Sequence, residues 1–273
     1  MIAINSNKYE SFKILSGNSI KIIAYITMFV DHFSKIVLSY MLNNVWFPMS
    51  LNGTIPTTQY YNIDNFIRFT LYGIGSISFP LFCFLIAEGY GHTQNKKYYM
   101  GRILLFALLS EIPFDIGFFS DYSIKEKTFP CYWKYQNVFF TYFIAISCLL
   151  LLERVEKYFD KNMIKKNWFF LVEILFVTIA VLLSESLKSD YGGQGILFIS
   201  AFYFLRKRRF LRVVAFLLIY IVVTGNQPTL FLLLSAIIML LYSGQKGKWN
   251  MKWFGYIFYP AHIIILKLIT LFL

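Results

Sequence analysis

Four residues able to do chemistry stand in one apolar run, "KIIAYITMFVDHFSKIVLSYML": Asp31, His32, Ser34 and Lys35. Asp31 and Lys35 are i and i+4, and His32 and Lys35 are i and i+3, so on a helix the three side chains fall within roughly a 100° arc. Such a face offers a carboxylate that can neutralise an ammonium, beside an imidazole able to take and return a proton near neutral pH. A second group lies in "GRILLFALLSEIPFDIGFF", where Glu111 and Asp115 are again i and i+4, with Pro113 between them. Pro113 permits a kink where a neighbour or cavity satisfies the loosened backbone. Arg68, near the outer start of the second apolar run, is the expected further cation. An ionisable side chain at a bilayer centre costs about 2.5–3.5 kcal/mol on insertion scales. Several at comparable depth point to a hydrated reaction or transport cavity; the plainer reading is a salt-bridge network that locks helices together.

A third group closes the second run, in "AEGYGHTQNKKYYMGR". Glu88 and His92 are i and i+4, followed by Lys96, Lys97 and Arg102, cations suited to phosphate groups. Gly89 and Gly91 permit close approach of a ligand, although ordinary helix-end polarity gives the same pattern. In the last run, "FGYIFYPAHIII", Pro260 is expected to kink a helix with His262 just beyond, in its inner part. The glycine pair of "KSDYGGQG" is too common to define a phosphate site.

The elements that must position these groups are membrane helices. The chain of 273 residues is 58% hydrophobic and 20% aromatic but only 15% charged, with a mean hydropathy of +0.57, outside the range of soluble domains. Apolar segments fall at roughly 20–43, 65–90, 100–120, 135–153, 168–186, 191–205, 209–224, 228–243 and 252–273. Of the 26 Lys and Arg, 19 lie in the N-terminal region and alternate connections, including Lys8, Lys13, Lys21, Lys165 and Lys166. By the positive-inside rule those connections are cytoplasmic. The expectation is therefore an all-α, polytopic bundle of about nine transmembrane helices, one domain over 1–273, with the N-terminus cytoplasmic and the C-terminus external. The net charge of +12 then reports topology and not nucleic-acid binding. The first apolar run exceeds a signal-peptide core and is expected to be retained. Connections 44–64 and 121–134 are expected to be external loops, and Cys83, Cys131 and Cys148 have neither metal nor disulfide spacing.

Taken in order, "IKIIAYITMFVDHFSKI", "FPLFCFLIAEGYGHTQNKKYYMGRILLFALLSEIPFD" (79 to 115), "NVFFT", "DYGGQGIL" and "FYPAH" resemble the TraX family of integral-membrane acetyltransferases. The pieces are spread over most of the chain, and the second is long enough to be specific. The resemblance implies transfer of an acetyl group from cytoplasmic acetyl-CoA, as co-substrate, to an amine (a peptide or pilin N-terminus) or a hydroxyl of a small-molecule acceptor, on the same side or across the inner membrane of a bacterium, among membrane lipids. On that reading His32 is a general base oriented by Asp31, with Glu111 in the same catalytic group. Lys35, Arg68, Asp115 and Asn137 fall on the acceptor side, Glu111 and Asp115 suiting a cationic amine. Glu88, His92, Lys96, Lys97, Arg102 and His262 fall on the acetyl-CoA side, and no metal is expected. Transfer can be direct or pass through an acetyl-histidine. The alternative is a proton-coupled secondary transporter using the same acids and histidine. A carrier would be expected to show an inverted repeat or paired broken helices, and the sequence has neither. A scaffold held together by its polar network is the third reading.

Overall fold

The computed structural model describes residues 14–161 and 166–273. Lys8, Lys13 and Lys165 lie outside the described residues, as does the side chain of Lys166. Regular structure among the described residues is all helical, apart from two isolated bridges. In chain order the helices are α1 (Gly17–Leu51), α2 (Thr57–His92), α3 (Lys96–Phe118), the short α4 (Ser120–Lys125), α5 (Val138–Lys161), α6 (Lys166–Ser186), α7 (Gly192–Phe204), α8 (Arg209–Thr224), α9 (Leu230–Leu240) and α10 (Phe254–Ile269).

Caps written in the sequence start several of them. Ser16 Oγ accepts from Ser19 N at α1, Asn95 Oδ1 from Tyr98 N at α3, and Thr229 Oγ1 from Leu232 N at α9. Gly225, at φ 68°, ends α8 in the left-handed conformation that glycine adopts at no steric cost. In α1 the ladder widens into π turns at Ser34–Leu38 and Leu42–Trp46, the first immediately after Asp31 and His32. In α2 a π turn at Ile67–Leu71 is followed by a break at Ser76 and Ile77. Widened turns of this kind gather where a helix must re-aim side chains.

Among the described residues four helices are long and apolar enough to cross a membrane: α1, α2, α5 and the 168–186 part of α6. The 35 residues of α1 extend about 52 Å, well beyond a hydrocarbon core of about 30 Å. With 13 and 11 residues, α7 and α9 reach only about 20 and 17 Å. The expected loop at 44–64 is instead mostly helix, because α1 runs to Leu51 and α2 starts at Thr57. Hydropathy marks where apolar side chains stop, whereas the helical ladder continues through the polar residues of an exposed hairpin.

The bundle is built around α7, which is enclosed by α2, α5, α6 and α8. Phe84, Phe198, Phe202 and Phe216 interlock, fully buried, where α2, α7 and α8 meet. On the other flank α1 packs on α2 and α10, and α3 on α5 and α10. Helix α6 buries little and turns Phe170, Leu171, Ile174 and Leu175 outward, as suits a lipid-facing helix.

Candidate functional site

Asp31, His32 and Lys35 share one face of α1, as their spacing requires. Lys35 Nζ donates to Asp31 Oδ2 at 2.7 Å, and His32 Nε2 lies 3.9 Å from the same oxygen. Asp31 is buried against the α2 break, where Gly75 leaves no room to spare. A Cβ at Gly75 would sit 2.5 Å from Asp31 Cβ and 2.7 Å from its Cγ. Gly75→Ala is therefore expected to displace the carboxylate from Lys35 and cost about 1–3 kcal/mol, the usual overpacking range, read as a lower melting temperature in detergent.

His262 is the partner that the sequence did not supply. It was expected on the acetyl-CoA side, but α10 places its ring edge to edge with His32 and nearly coplanar, with centroids 4.8 Å apart and planes 6° apart. His32 Nδ1 and His262 Nε2 are 2.7 Å apart and hydrogen-bonded, while His262 Nδ1 donates to Phe258 O at 2.6 Å. Phe118 and Tyr259 close on His32 edge-first at 5.1 and 5.9 Å.

The acids of α3 have other partners. Glu111 Oε2 accepts from the backbone N and from Nδ2 of Asn137, at 3.2 and 2.5 Å. Asn137 also donates to Ala107 O, and its Oδ1 accepts from Phe139 N, so this residue caps α5 and ties it to α3. Its side-chain amide is thereby occupied within the bundle. Asp115 Oδ2 accepts from Tyr132 N at 2.6 Å, while its buried Oδ1 has no hydrogen-bond partner. Among the described residues no hydrogen bond joins Glu111 or Asp115 to His32.

Arg68 does not join the cluster. Its Nε bonds Asp64 Oδ1 at 2.7 Å on an exposed stretch of α2. The i,i+4 relation of Asp64 to Arg68 was available, but 44–64 had been read as loop. Arg68→Gln is expected to cost no more than about 0.5 kcal/mol in unfolding and to leave activity unchanged, as for other exposed helix pairs. The group missed is Asp190, in the turn before α7. Its carboxylate shares the electrostatic surroundings of Asp31 and Lys35, and Thr141 Oγ1 donates to its carbonyl at 2.7 Å. Its signals were an acid between two apolar runs and its place at the head of "DYGGQGIL".

At the opposite, basic end of the bundle Glu88 is neutralised by Arg212, whose Nη1 lies 2.5 Å from Oε1. Arg212 is almost fully buried and lies over the Phe84 ring. His92, 71% exposed in its side chain, is 3.5 Å from the other Glu88 oxygen. Lys96 is paired with Glu153, which also accepts from Tyr203 OH at 2.5 Å. The exposed Lys97 lines a separate basic pocket with Arg154 and Lys157.

A cavity of about 750 Å³ opens at this basic end and runs toward the polar face of α1. Its mouth carries Lys21, His92, Arg102, Lys246 and Lys252, and its inner end is formed by Tyr25, Met28, Phe139, Tyr142 and Tyr259. Met28 stands one helical turn before His32, and the Tyr259 ring faces both histidines edge-on, so the cavity ends at these side chains, one side chain short of the polar face of α1. With Glu88 paired, the mouth presents an excess of positive charge, and Arg102 has a buried Nε without a hydrogen-bond partner. Volume, apolar walls and a few cations suit a sizeable anionic ligand with an uncharged tail.

An all-helical bundle with long apolar spans and a polar interior site defines an integral-membrane protein. A family model described as TraX protein matches residues 16–270, and the chain belongs to that family. It is also 25% identical, over 274 residues, to the probable fimbrial assembly protein FimC, serogroup H1, of Dichelobacter nodosus. That alignment covers 94% of this chain and 97% of the relative. No solved structure matches.

Proposed function

We propose that this protein moves an acetyl group from acetyl-CoA to an amine, using the basic cavity for the donor and the His32 face for the chemistry. The observation that carries the reading is one cavity with cations at its mouth and an imidazole pair just behind its floor. Arg102, Lys21, Lys246 and Lys252 would hold the phosphates of the donor, and the Tyr-lined depth would take its pantetheine arm and thioester. Lys96 and Lys97 contribute less directly, one paired to Glu153 and the other outside the cavity.

His32 Nε2 takes the proton of the attacking amine as the nitrogen–carbon bond forms at the acetyl carbonyl. The carbon–sulfur bond then breaks, and the proton is returned to the departing thiolate. Asp31 stabilises the transient imidazolium by its charge, and Lys35 stands ready for the negative charge that develops on oxygen. The unpartnered Asp115 oxygen, with Glu111 one turn away, makes the region beyond Tyr259 attractive to a cationic amine.

Topology follows the charges. The basic end faces the cytoplasm, where acetyl-CoA is made, and the N-terminus lies with it; the C-terminus is external, in a bacterial inner membrane. About nine helices contribute to crossing, the short α7 and α9 only as parts of the bundle. A relative described as a fimbrial assembly protein favours the N-terminus of a fimbrial or pilin subunit as acceptor. The experiment is mass spectrometry of a peptide with a free N-terminus after incubation with acetyl-CoA and purified protein. A mass gain of one acetyl group on the terminal amine supports the reading, and no gain with any amine acceptor overturns it.

A further inference from the structure

The two histidines and one backbone carbonyl form a hydrogen-bond chain whose direction is fixed by its end. His262 Nδ1 is 2.6 Å from Phe258 O, and a carbonyl oxygen can only accept, so His262 holds a proton on Nδ1. His262 is buried and no carboxylate hydrogen-bonds to it among the described residues, which favours its neutral form. In that form its Nε2 accepts, and the group 2.7 Å away is His32 Nδ1. His32 therefore donates from Nδ1 and keeps a bare lone pair on Nε2. Asp31 cannot set this arrangement. It lies on the Nε2 side, 3.9 Å away and beyond hydrogen-bond reach, and its Oδ2 is already taken by Lys35.

The ring planes are held as firmly as the protons. Phe258 stacks beneath His262 at 4.6 Å and 11°, His262 lies beside His32 with the planes 6° apart, and Phe118 abuts His32 from α3. Among the described residues the charged and titratable groups facing the pair are Asp31 and Lys35 from α1 and Tyr259 from α10, while α3 contributes the Phe118 ring.

We infer that His262 is a positioning residue that fixes His32 in its Nδ1–H tautomer and thereby makes Nε2 the base. The kinetic consequence rests on the acetyl-transfer reading: the amine proton moves to Nε2 as the nitrogen–carbon bond forms, and from the same atom to the thiolate as the carbon–sulfur bond breaks. His32 Nδ1–H stays bonded to His262 throughout.

Two variants and one spectrum test the inference. His262→Phe keeps an aromatic ring on Phe258 and removes the acceptor, whereas His262→Gln retains a side-chain oxygen able to accept from His32. The Phe variant is expected to lose about 100-fold in kcat with the KM for acetyl-CoA unchanged, and the Gln variant to recover most of the loss, within the usual range for a misplaced general base. Nitrogen-15 histidine spectra of the wild type are expected to show His32 protonated at Nδ1 and bare at Nε2. The Phe variant is expected to shift His32 to the Nε2–H form. Wild-type His32 protonated at Nε2, or a Phe variant of undiminished kcat, overturns the inference. The spectrum needs no turnover, so it decides the tautomer even if wild-type protein transfers no acetyl group, a result that would sink only the proposed activity. If His262→Phe fails to fold, the wild-type spectrum and the Gln variant still decide.

Discussion

A His32→Gln protein is expected to bind acetyl-CoA as the wild type does and to transfer acetyl at about one-thousandth of its rate, within the range seen on removing a positioned general base. Glutamine fills much of the imidazole volume, and its amide N–H₂ can still donate to His262 Nε2, so the α1–α10 contact survives. What it lacks is a nitrogen that takes a proton. The cavity that would hold the donor ends at Met28 and Tyr259 and does not include His32 on its wall. Binding and chemistry are thus separable, and the measurement is paired: calorimetric donor affinity beside the initial rate of peptide acetylation. A wild-type rate in a variant that melts normally would show that His32 is not the base. Loss of donor binding would instead mean that the cavity floor had collapsed.

The polar face of α1 could be read from sequence because helical spacing alone brings Asp31, His32 and Lys35 together. The Glu88–His92 approach was legible for the same reason. What spacing does not carry is which helices become neighbours. His262 meets His32 across 230 residues, and Arg212 meets Glu88 across 124. The sequence assigns His262 to the acetyl-CoA side and Arg212 to the basic connections, and only the packing of α10 on α1, and of α8 near α2, pairs them with His32 and Glu88. Arg68 failed in the opposite direction. Its real partner was four residues away, but polar composition suggested loop where the helix in fact continues. Hydropathy was a good guide to where apolar surface lies and a poor one to where helices begin and end. The Gly75 contact escaped for a further reason: a glycine required by a neighbour's carboxylate looks, in sequence, like any glycine in an apolar run.

Among the other side chains of the basic end, Arg212 is the one whose loss is expected to be most damaging. Its guanidinium is nearly fully buried, lies over Phe84 and holds Glu88 at 2.5 Å on the wall of the cavity. Arg212→Met leaves a partly buried carboxylate without its counter-ion, a change that costs about 3 kcal/mol or more where such pairs have been broken. The remaining charge also faces the space proposed for the phosphates of the donor, so acetyl-CoA binding is expected to weaken, and to weaken less at high salt. Glu88→Gln alone acts in the other direction. It leaves Arg212 uncompensated beside the cavity, so the melting temperature falls while donor affinity rises. The double variant Glu88→Gln/Arg212→Met removes both charges and is expected to recover most of the stability lost by Arg212→Met, because it is the lone buried charge, more than the missing pair, that destabilises. Denaturant or thermal unfolding in detergent gives the stability comparison, and calorimetric titration with acetyl-CoA gives the affinities. Equal loss of stability in Arg212→Met and in the double variant would show that Arg212 acts by packing on Phe84 and that Glu88 needs no counter-ion.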